Sequence, residues 1–93
     1  MPARRDGKRS RIIIIGDLLD FVLRMGEVKP TQLLHKSNLS YKHLKHYVDD
    51  LVAKGFLEVI RRDAQVYYKV TDIGAQFAKK IREVRQFEER FGI

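Results

Sequence analysis

The chain lacks cysteine entirely, and its longest uninterrupted apolar run is the four isoleucines at residues 12–15. Without thiols it can form neither a disulfide nor a thiolate metal site, and this composition favours the cytoplasm over an oxidising compartment. An apolar run of four residues is far too short to cross a membrane or to form the core of a signal peptide. We therefore expect a cytoplasmic protein with no membrane partner.

Acidic residues are also scarce, because 19 basic side chains face 12 acidic ones and leave a formal net charge of +7. The shortage is uneven along the chain. Residues 1–11 carry five basic side chains and one acid, and residues 28–48 carry four lysines and all three histidines but no acid. A basic domain of this kind favours a polyanionic partner, with nucleic acid ahead of a membrane surface. A cationic solvent-exposed surface without a partner is the alternative.

The spacing of apolar residues predicts three helices in the first half of the chain. They cover residues 10–25, 30–36 and 41–54. Ser40 is a typical N-cap residue for the third helix. Gly16 weakens the first helix by about 1 kcal/mol relative to alanine, which indicates that another element approaches closely there.

The second half of the chain predicts a hairpin and one more helix. Residues 56–61 and 66–70 are rich in β-branched and aromatic side chains and flank a polar turn. Thr71 can cap a last helix that continues to about residue 90. The order helix, helix, helix, hairpin, helix is that of a winged helix-turn-helix, a mainly α (α+β) fold. We predict a flexible basic arm (1–9), a winged helix-turn-helix DNA-binding domain (10–72) and a C-terminal dimerisation helix (73–93).

The outward face of the third helix is the leading functional candidate. Its apolar residues repeat at helical spacing, and the opposite face carries lysines, histidines and hydroxyl groups with no acid before Asp49. Such a helix suits the DNA major groove, and the hairpin at 61–65 would act as the wing. A solvated helix face and an ordinary polar hairpin tip are the alternatives. The predicted DNA-binding residues are Ser40, Tyr41, Lys42, His43, Lys45, His46, Arg61, Arg62, Gln65, Arg9 and Arg11.

The exposed start of the third helix contains no arginine, asparagine or glutamine. These are the side chains that read guanine or adenine with two hydrogen bonds. We therefore expect modest sequence specificity, with affinity dominated by contacts to the DNA backbone. If the histidines face phosphate, binding should strengthen in mild acid, where imidazole gains charge.

Metal and enzyme chemistry have little support in the sequence. His43 and His46 lie three residues apart and Asp49 or Asp50 follows one turn on, but no fourth ligand stands nearby, so we expect no metal and no cofactor. The chain has no glycine-rich phosphate loop, no metalloprotease motif and no nucleophile elbow. We therefore predict that the protein is not an enzyme.

An apolar stripe runs along the last helix from Ile73 to Phe91 at spacings of three and four residues. Its first half can pack on the first helix. Its second half exceeds what a domain of this size can easily cover, and a second copy of the chain would bury it. We therefore predict a homodimer through this helix. The predicted dimer-interface residues are Phe77, Ile81, Val84, Phe87 and Phe91.

Several stretches resemble an archaeal family of small winged-helix proteins. They are Ser10-Arg11-Ile12, Lys29-Pro30-Thr31, Asn38-Leu39-Ser40-Tyr41, residues 51–58 and Tyr68-Lys69-Val70-Thr71-Asp72-Ile73-Gly74. Members are usually described as predicted transcriptional regulators, and the family includes dimeric chromatin-associated DNA-binding proteins of thermophilic archaea. The resemblance covers nearly the whole chain from residue 9 onward.

This resemblance implies binding of double-stranded DNA, a nucleoid-associated location, and dimerisation by antiparallel pairing of the C-terminal helix. That helix is shorter here than in many relatives, which puts the size of the dimer contact in question. The expected role is transcriptional regulation or chromatin architecture. The alternative is a winged-helix module that binds a protein partner and has no direct DNA role, since the same fold serves both purposes.

Overall fold

The computed structural model describes residues 10–92, which form four helices and one hairpin. The predicted arm at 1–9, with Arg9, lies outside the described residues. Every predicted helix and strand is confirmed, and each boundary falls within one residue of the prediction. The elements are α1 (Arg11–Met25), α2 (Pro30–Ser37), α3 (Tyr41–Ala53), β1 (Leu57–Arg62), β2 (Gln65–Val70) and α4 (Asp72–Phe91).

Hydroxyl side chains fix where the three longer helices begin. Ser10, Ser40 and Thr71 each accept a hydrogen bond from the backbone N–H three residues further along the chain. Such a cap contributes about 1 kcal/mol by satisfying one of the free N–H groups at a helix start. The short helix α2 begins instead at Pro30, whose missing N–H has no cost at that position.

The turn between α2 and α3 is very short. Asn38 adopts the left-handed conformation (φ 59°, ψ 23°) that ends α2. Ser37 Oγ then accepts a hydrogen bond from the N–H of Leu39 at 3.2 Å, and Ser40 begins α3. Only the three residues 38–40 therefore separate α2 from α3.

The core lies where α1, α2 and α3 meet beneath the hairpin, and α4 packs along α1. At that crossing a methyl group placed on Gly16 would lie 2.7 Å from Cγ2 of Ile81, so the predicted close approach at Gly16 is confirmed. Ion pairs of Arg82 with Asp20 and of Arg85 with Asp17 flank the same contact. The largest fully buried side chains are Leu19, Leu33, Leu51, Val22 and Val28.

The hairpin is antiparallel and turns through two residues only. Asp63 and Ala64 both have positive φ angles (51° and 65°), as in the tight turns that match the twist of paired strands. The predicted four-residue turn was therefore too wide. Arg62 and Gln65 form the last residue pair of the ladder and do not lie in the turn itself.

The link between α1 and α2 is hydrogen-bonded to the hairpin. Val28 N–H donates to Tyr68 O at 3.0 Å, and Tyr68 N–H donates to Val28 O at 2.8 Å. These two bonds form an isolated β-bridge to the edge of the two-stranded sheet and bring Glu27 beside the hairpin. None of the helices in residues 10–92 has the length and apolar character needed to span a bilayer.

Candidate nucleic-acid interface

The outward face of α3 has the polarity that the sequence predicts. Leu44, Val48 and Leu51 are buried in the core. All six of the predicted α3 contacts are exposed: Ser40, Tyr41, Lys42, His43, Lys45 and His46. The helix therefore presents cations, imidazoles and hydroxyl groups to solvent from its N-terminal half.

The hairpin lies beside this face. Tyr41 and Lys45 of α3 line a groove of about 300 Å³ together with Val66 and Tyr68 of β2. Burial raises the pKa of the Tyr68 hydroxyl, and the negative charge of Asp49 acts in the same direction. The helix and the hairpin thus form one continuous surface, as in a helix with an adjacent wing.

Two of the predicted contacts interact at the N-terminus of α3. Ser40 Oγ accepts the N–H of His43 and lies 3.1 Å from Nδ1 of the His43 ring. The imidazole is therefore held over the helix start, where the free N–H groups and the helix dipole favour an anion. This end of α3 is suited to a phosphate group.

The lysines of α3 differ in their partners. The Lys45 ammonium donates a hydrogen bond of 2.8 Å to Asp49, and this bond raises the pKa of Lys45. Lys42 takes part in no ion pair within residues 10–92. Lys42 is therefore the cation of α3 most readily available to a phosphate.

The wing arginines differ in the same way. Arg62 donates two hydrogen bonds to the Glu27 carboxylate, at 3.0 and 3.3 Å, and its guanidinium lies 5.2 Å from the centre of the Tyr67 ring. The hydrogen bond lowers the pKa of Glu27 and raises that of Arg62. Arg61 is exposed and has no ion-pair partner in the described part of the chain, and Gln65 is exposed beside the turn.

Arg11 lies on a different flank of α3 from the wing. Its guanidinium is 3.9 Å from the Asp50 carboxylate and 5.7 Å from the centre of the Tyr47 ring. Positions 47 and 50 point away from the side that faces the groove. The structure therefore does not bring Arg11 together with Lys45 and the wing.

The five predicted dimer residues separate into two groups. Ile81 is only 4% exposed against α1, and the Phe77 ring stacks on Phe56 with 4.5 Å between ring centres. Ile81, and much of Phe77, therefore pack within the protomer, and their part in a dimer interface stays a prediction. Val84, Phe87 and Phe91 are 56%, 56% and 61% exposed.

Two acidic residues of this surface were not among the predicted site residues. Asp49 pairs with Lys45 at a spacing of four residues, a helical pattern that the sequence does contain. Glu27 pairs with Arg62, which lies 35 residues further along the sequence, and no local sequence pattern predicts that contact. Within residues 10–92, no group of three or more His, Asp or Glu side chains is placed to hold a metal ion.

Known proteins with this fold include a DNA-binding protein and transcriptional regulators. The DNA-binding protein Sso10a-2 of Sulfolobus solfataricus superposes with a TM-score of 0.78 at 22% identity, over 89% of this chain and 85% of that one. The transcriptional regulator BldR of the same organism gives 0.72 at 20% identity, over 86% of this chain and 60% of BldR. A variant of Escherichia coli MarR, solved with operator DNA, gives 0.67 at 21% identity. The match covers 74% of this chain and about half (51%) of MarR.

Sequence comparison leads to the same family. An uncharacterised protein of Methanocaldococcus jannaschii is 23% identical over 77 residues, which is 83% of this chain and 74% of that protein. Residues 8–89 match the family described as winged helix-turn-helix, and this match spans all the described helices but the end of α4. The resemblance noted from the sequence is confirmed at this level: the chain belongs to the winged helix-turn-helix family.

Proposed function

We propose that the protein binds double-stranded DNA, as a transcriptional regulator or as a chromatin-associated architectural protein. The observation that carries this proposal is the outward face of α3. It exposes Lys42, Lys45 and His46 while its apolar face is buried in the core. The likeness in fold to the DNA-binding protein Sso10a-2 and to MarR, which has been solved with operator DNA, supports the proposal.

In this mechanism α3 enters the major groove and the wing lies along the phosphate backbone. The N-terminus of α3, with Ser40 and His43, faces a phosphate. Lys42 and Arg61 supply charges that no acid neutralises within residues 10–92. Because arginine, asparagine and glutamine are absent from the start of α3, backbone contacts dominate and sequence preference is modest.

A fluorescence-anisotropy titration of a labelled random-sequence duplex tests this function directly. We expect binding at low salt, with an affinity that falls linearly on a logarithmic scale as salt rises, because each neutralised phosphate releases counterions. A set of selected duplexes should bind within a narrow range of affinities. Absence of binding at low salt would contradict the proposal and favour the alternative of a module that binds only protein. A single sequence bound about a thousandfold better than random would contradict modest specificity.

We also propose that two copies pair through the end of α4. Val84, Phe87 and Phe91 follow the three- and four-residue spacing of interlocking helices, and the Phe87 and Phe91 rings lie 4.6 Å apart. A groove of about 310 Å³ beside them, lined by Ile12 and Ile13 of α1, extends the apolar surface. Burying this surface against a second copy removes it from water.

The dimer places two α3 helices on one duplex, which increases affinity without any new contact in the protomer. Sedimentation equilibrium at micromolar concentration tests the oligomeric state. We expect twice the monomer mass. A monomer at every concentration up to the micromolar range would contradict the dimer while leaving DNA binding by a single protomer to be measured separately.

A further inference from the structure

Two carboxylates are each bonded to a cation that we propose as a DNA contact. Glu27 accepts both hydrogen bonds of Arg62 on the wing, and Asp49 accepts the hydrogen bond of Lys45 on α3. The other two lysine and arginine side chains that we propose as contacts on α3 and the wing, Lys42 and Arg61, have no such partner within residues 10–92. Two of these four proposed contacts are therefore already paired with an acid.

The position of Glu27 is fixed by the fold. The paired backbone hydrogen bonds between Val28 and Tyr68 hold the α1–α2 link against β2, so the Glu27 carboxylate lies within reach of the Arg62 side chain. The Tyr67 ring contacts the Arg62 guanidinium as well. Arg62 is thus held between a carboxylate and an aromatic ring on the side of the hairpin that meets the α1–α2 link.

A carboxylate offers arginine the same two-oxygen geometry that a phosphate offers. A DNA phosphate that approaches Arg62 must therefore displace Glu27 or bind a pair whose net charge is zero. In the first case the freed carboxylate stays close to the phosphate and repels it. In the second case Arg62 releases no counterion. Both outcomes weaken backbone binding, and the same reasoning holds for Asp49 and Lys45.

We propose that Glu27 and Asp49 act as restraining residues, which occupy Arg62 and Lys45 and thereby limit sequence-independent binding of the DNA backbone. This inference rests on the proposed DNA-binding function. It assigns to these two acids a role in setting the strength and the salt dependence of DNA binding. Arg62 and Lys45 would contact a phosphate only when their acidic partners are displaced, whereas Lys42 and Arg61 would contact one directly.

The test uses Glu27→Gln and Asp49→Asn in the whole 93-residue chain, titrated against the random-sequence duplex. Each variant frees one cation for one more phosphate. Its duplex affinity near 0.1 M salt should therefore rise about five- to tenfold, and the slope of log affinity against log salt concentration should become steeper by about one unit. Unchanged affinity and slope in both variants would overturn the proposal.

A matched control is Asp20→Asn, which also removes one carboxylate from an exposed ion pair with an arginine. The Arg82 and Asp20 side chains are 46% and 32% exposed, close to the 52% and 33% of Arg62 and Glu27. That pair lies at the contact of α1 with α4. We expect the control to raise affinity less than twofold. An equal rise in the control would mean that total charge alone is responsible, and this would overturn the proposal.

A double-mutant cycle separates restraint from a simple charge effect. In an Arg62→Gln background, Glu27→Gln should no longer raise duplex affinity, because the guanidinium to which Glu27 is hydrogen-bonded is gone. A gain that persists in this background would overturn the role assigned to Glu27. If the wild-type protein does not bind the duplex at all, the proposed function fails and this inference fails with it. If the wild type binds and the variants match it, only this inference fails.

Discussion

α3 and α4 are both amphipathic helices with one face in the same core, but their outward faces differ in kind. α3 exposes lysines, histidines and hydroxyl groups near its N-terminus, and α4 exposes Val84, Phe87 and Phe91 near its C-terminus. The periodicity that buries the inner face is the same in both. The outer face alone therefore decides the partner, which we propose is a polyanion for α3 and a second apolar helix for α4.

The largest effect should come from a charge placed in the outward face of α4. Phe87→Glu puts a carboxylate in the proposed dimer contact, and the dimer dissociation constant should rise by about 100-fold or more. Duplex affinity should fall by about tenfold or more as bivalent binding is lost. Sedimentation equilibrium and the anisotropy titration measure the two effects. Gln86→Glu, on the neighbouring exposed position, is the control and should leave the dimer intact.

The next effect concerns the contact that holds α4 against α1. Gly16→Ala places a methyl group against Ile81, and this overpacking should lower the free energy of unfolding by about 1–3 kcal/mol, despite the better helix propensity of alanine. Urea denaturation measures the change. In the double variant Gly16→Ala with Ile81→Ala, the free energy of unfolding should fall by less than the sum of the two single losses. The smaller alanine at position 81 leaves room for the new methyl group. Strict additivity would contradict the steric explanation.

A smaller effect should follow when one cation is removed from the face of α3. Because Lys42→Ala removes one phosphate contact, it should weaken binding to every duplex about five- to tenfold near 0.1 M salt. The slope of log affinity against log salt concentration should become shallower by about one unit. Lys79→Ala removes an exposed lysine from α4 and is the matched control. Equal losses in the two variants would place the DNA elsewhere on the molecule.

The smallest effect should be the pH dependence of the Glu27–Arg62 pair. The hydrogen bond from Arg62 lowers the pKa of Glu27, so the pair stabilises the fold above the ordinary pKa of a glutamate and is lost as the pH falls through the lowered value. Any stability difference between the wild type and Glu27→Gln at neutral pH should therefore vanish in strong acid. Urea denaturation of both proteins, at neutral pH and in strong acid, measures this difference. A difference that persists in acid would exclude the ion pair as its cause.

The sequence was sufficient to locate the elements and the outward face of α3. Ser10, Ser40 and Thr71 cap their helices locally, so the helix starts depend on neighbouring residues only. The sequence pattern does not show where along α4 burial ends. The apolar residues repeat at the same spacing from buried Ile81 to exposed Phe91, so periodicity alone does not separate the two. Gly16 indicates that another element packs closely against α1, but the sequence does not show that Ile81 is the residue in contact.

Contacts between distant segments were beyond the reach of sequence patterns. The Glu27–Arg62 pair depends on where the hairpin register ends, and that register depends on the two-residue turn at Asp63 and Ala64. The turn has no glycine to reveal its positive φ angles, so the sequence predicted a wider one. Whether the exposed residues of α3 and the wing contact DNA stays a prediction, for the titrations above to decide.

The hydrogen bonds between Val28 and Tyr68 have a mechanical consequence. Because the wing is attached to the link that leads into α2, a shift of the hairpin relative to α2 must either break these two bonds or move the link with it. If the protein binds DNA as we propose, a duplex whose groove does not match this arrangement must itself bend or twist to fit. Flexible base-pair steps would then be favoured over stiff ones, even where no side chain touches a base.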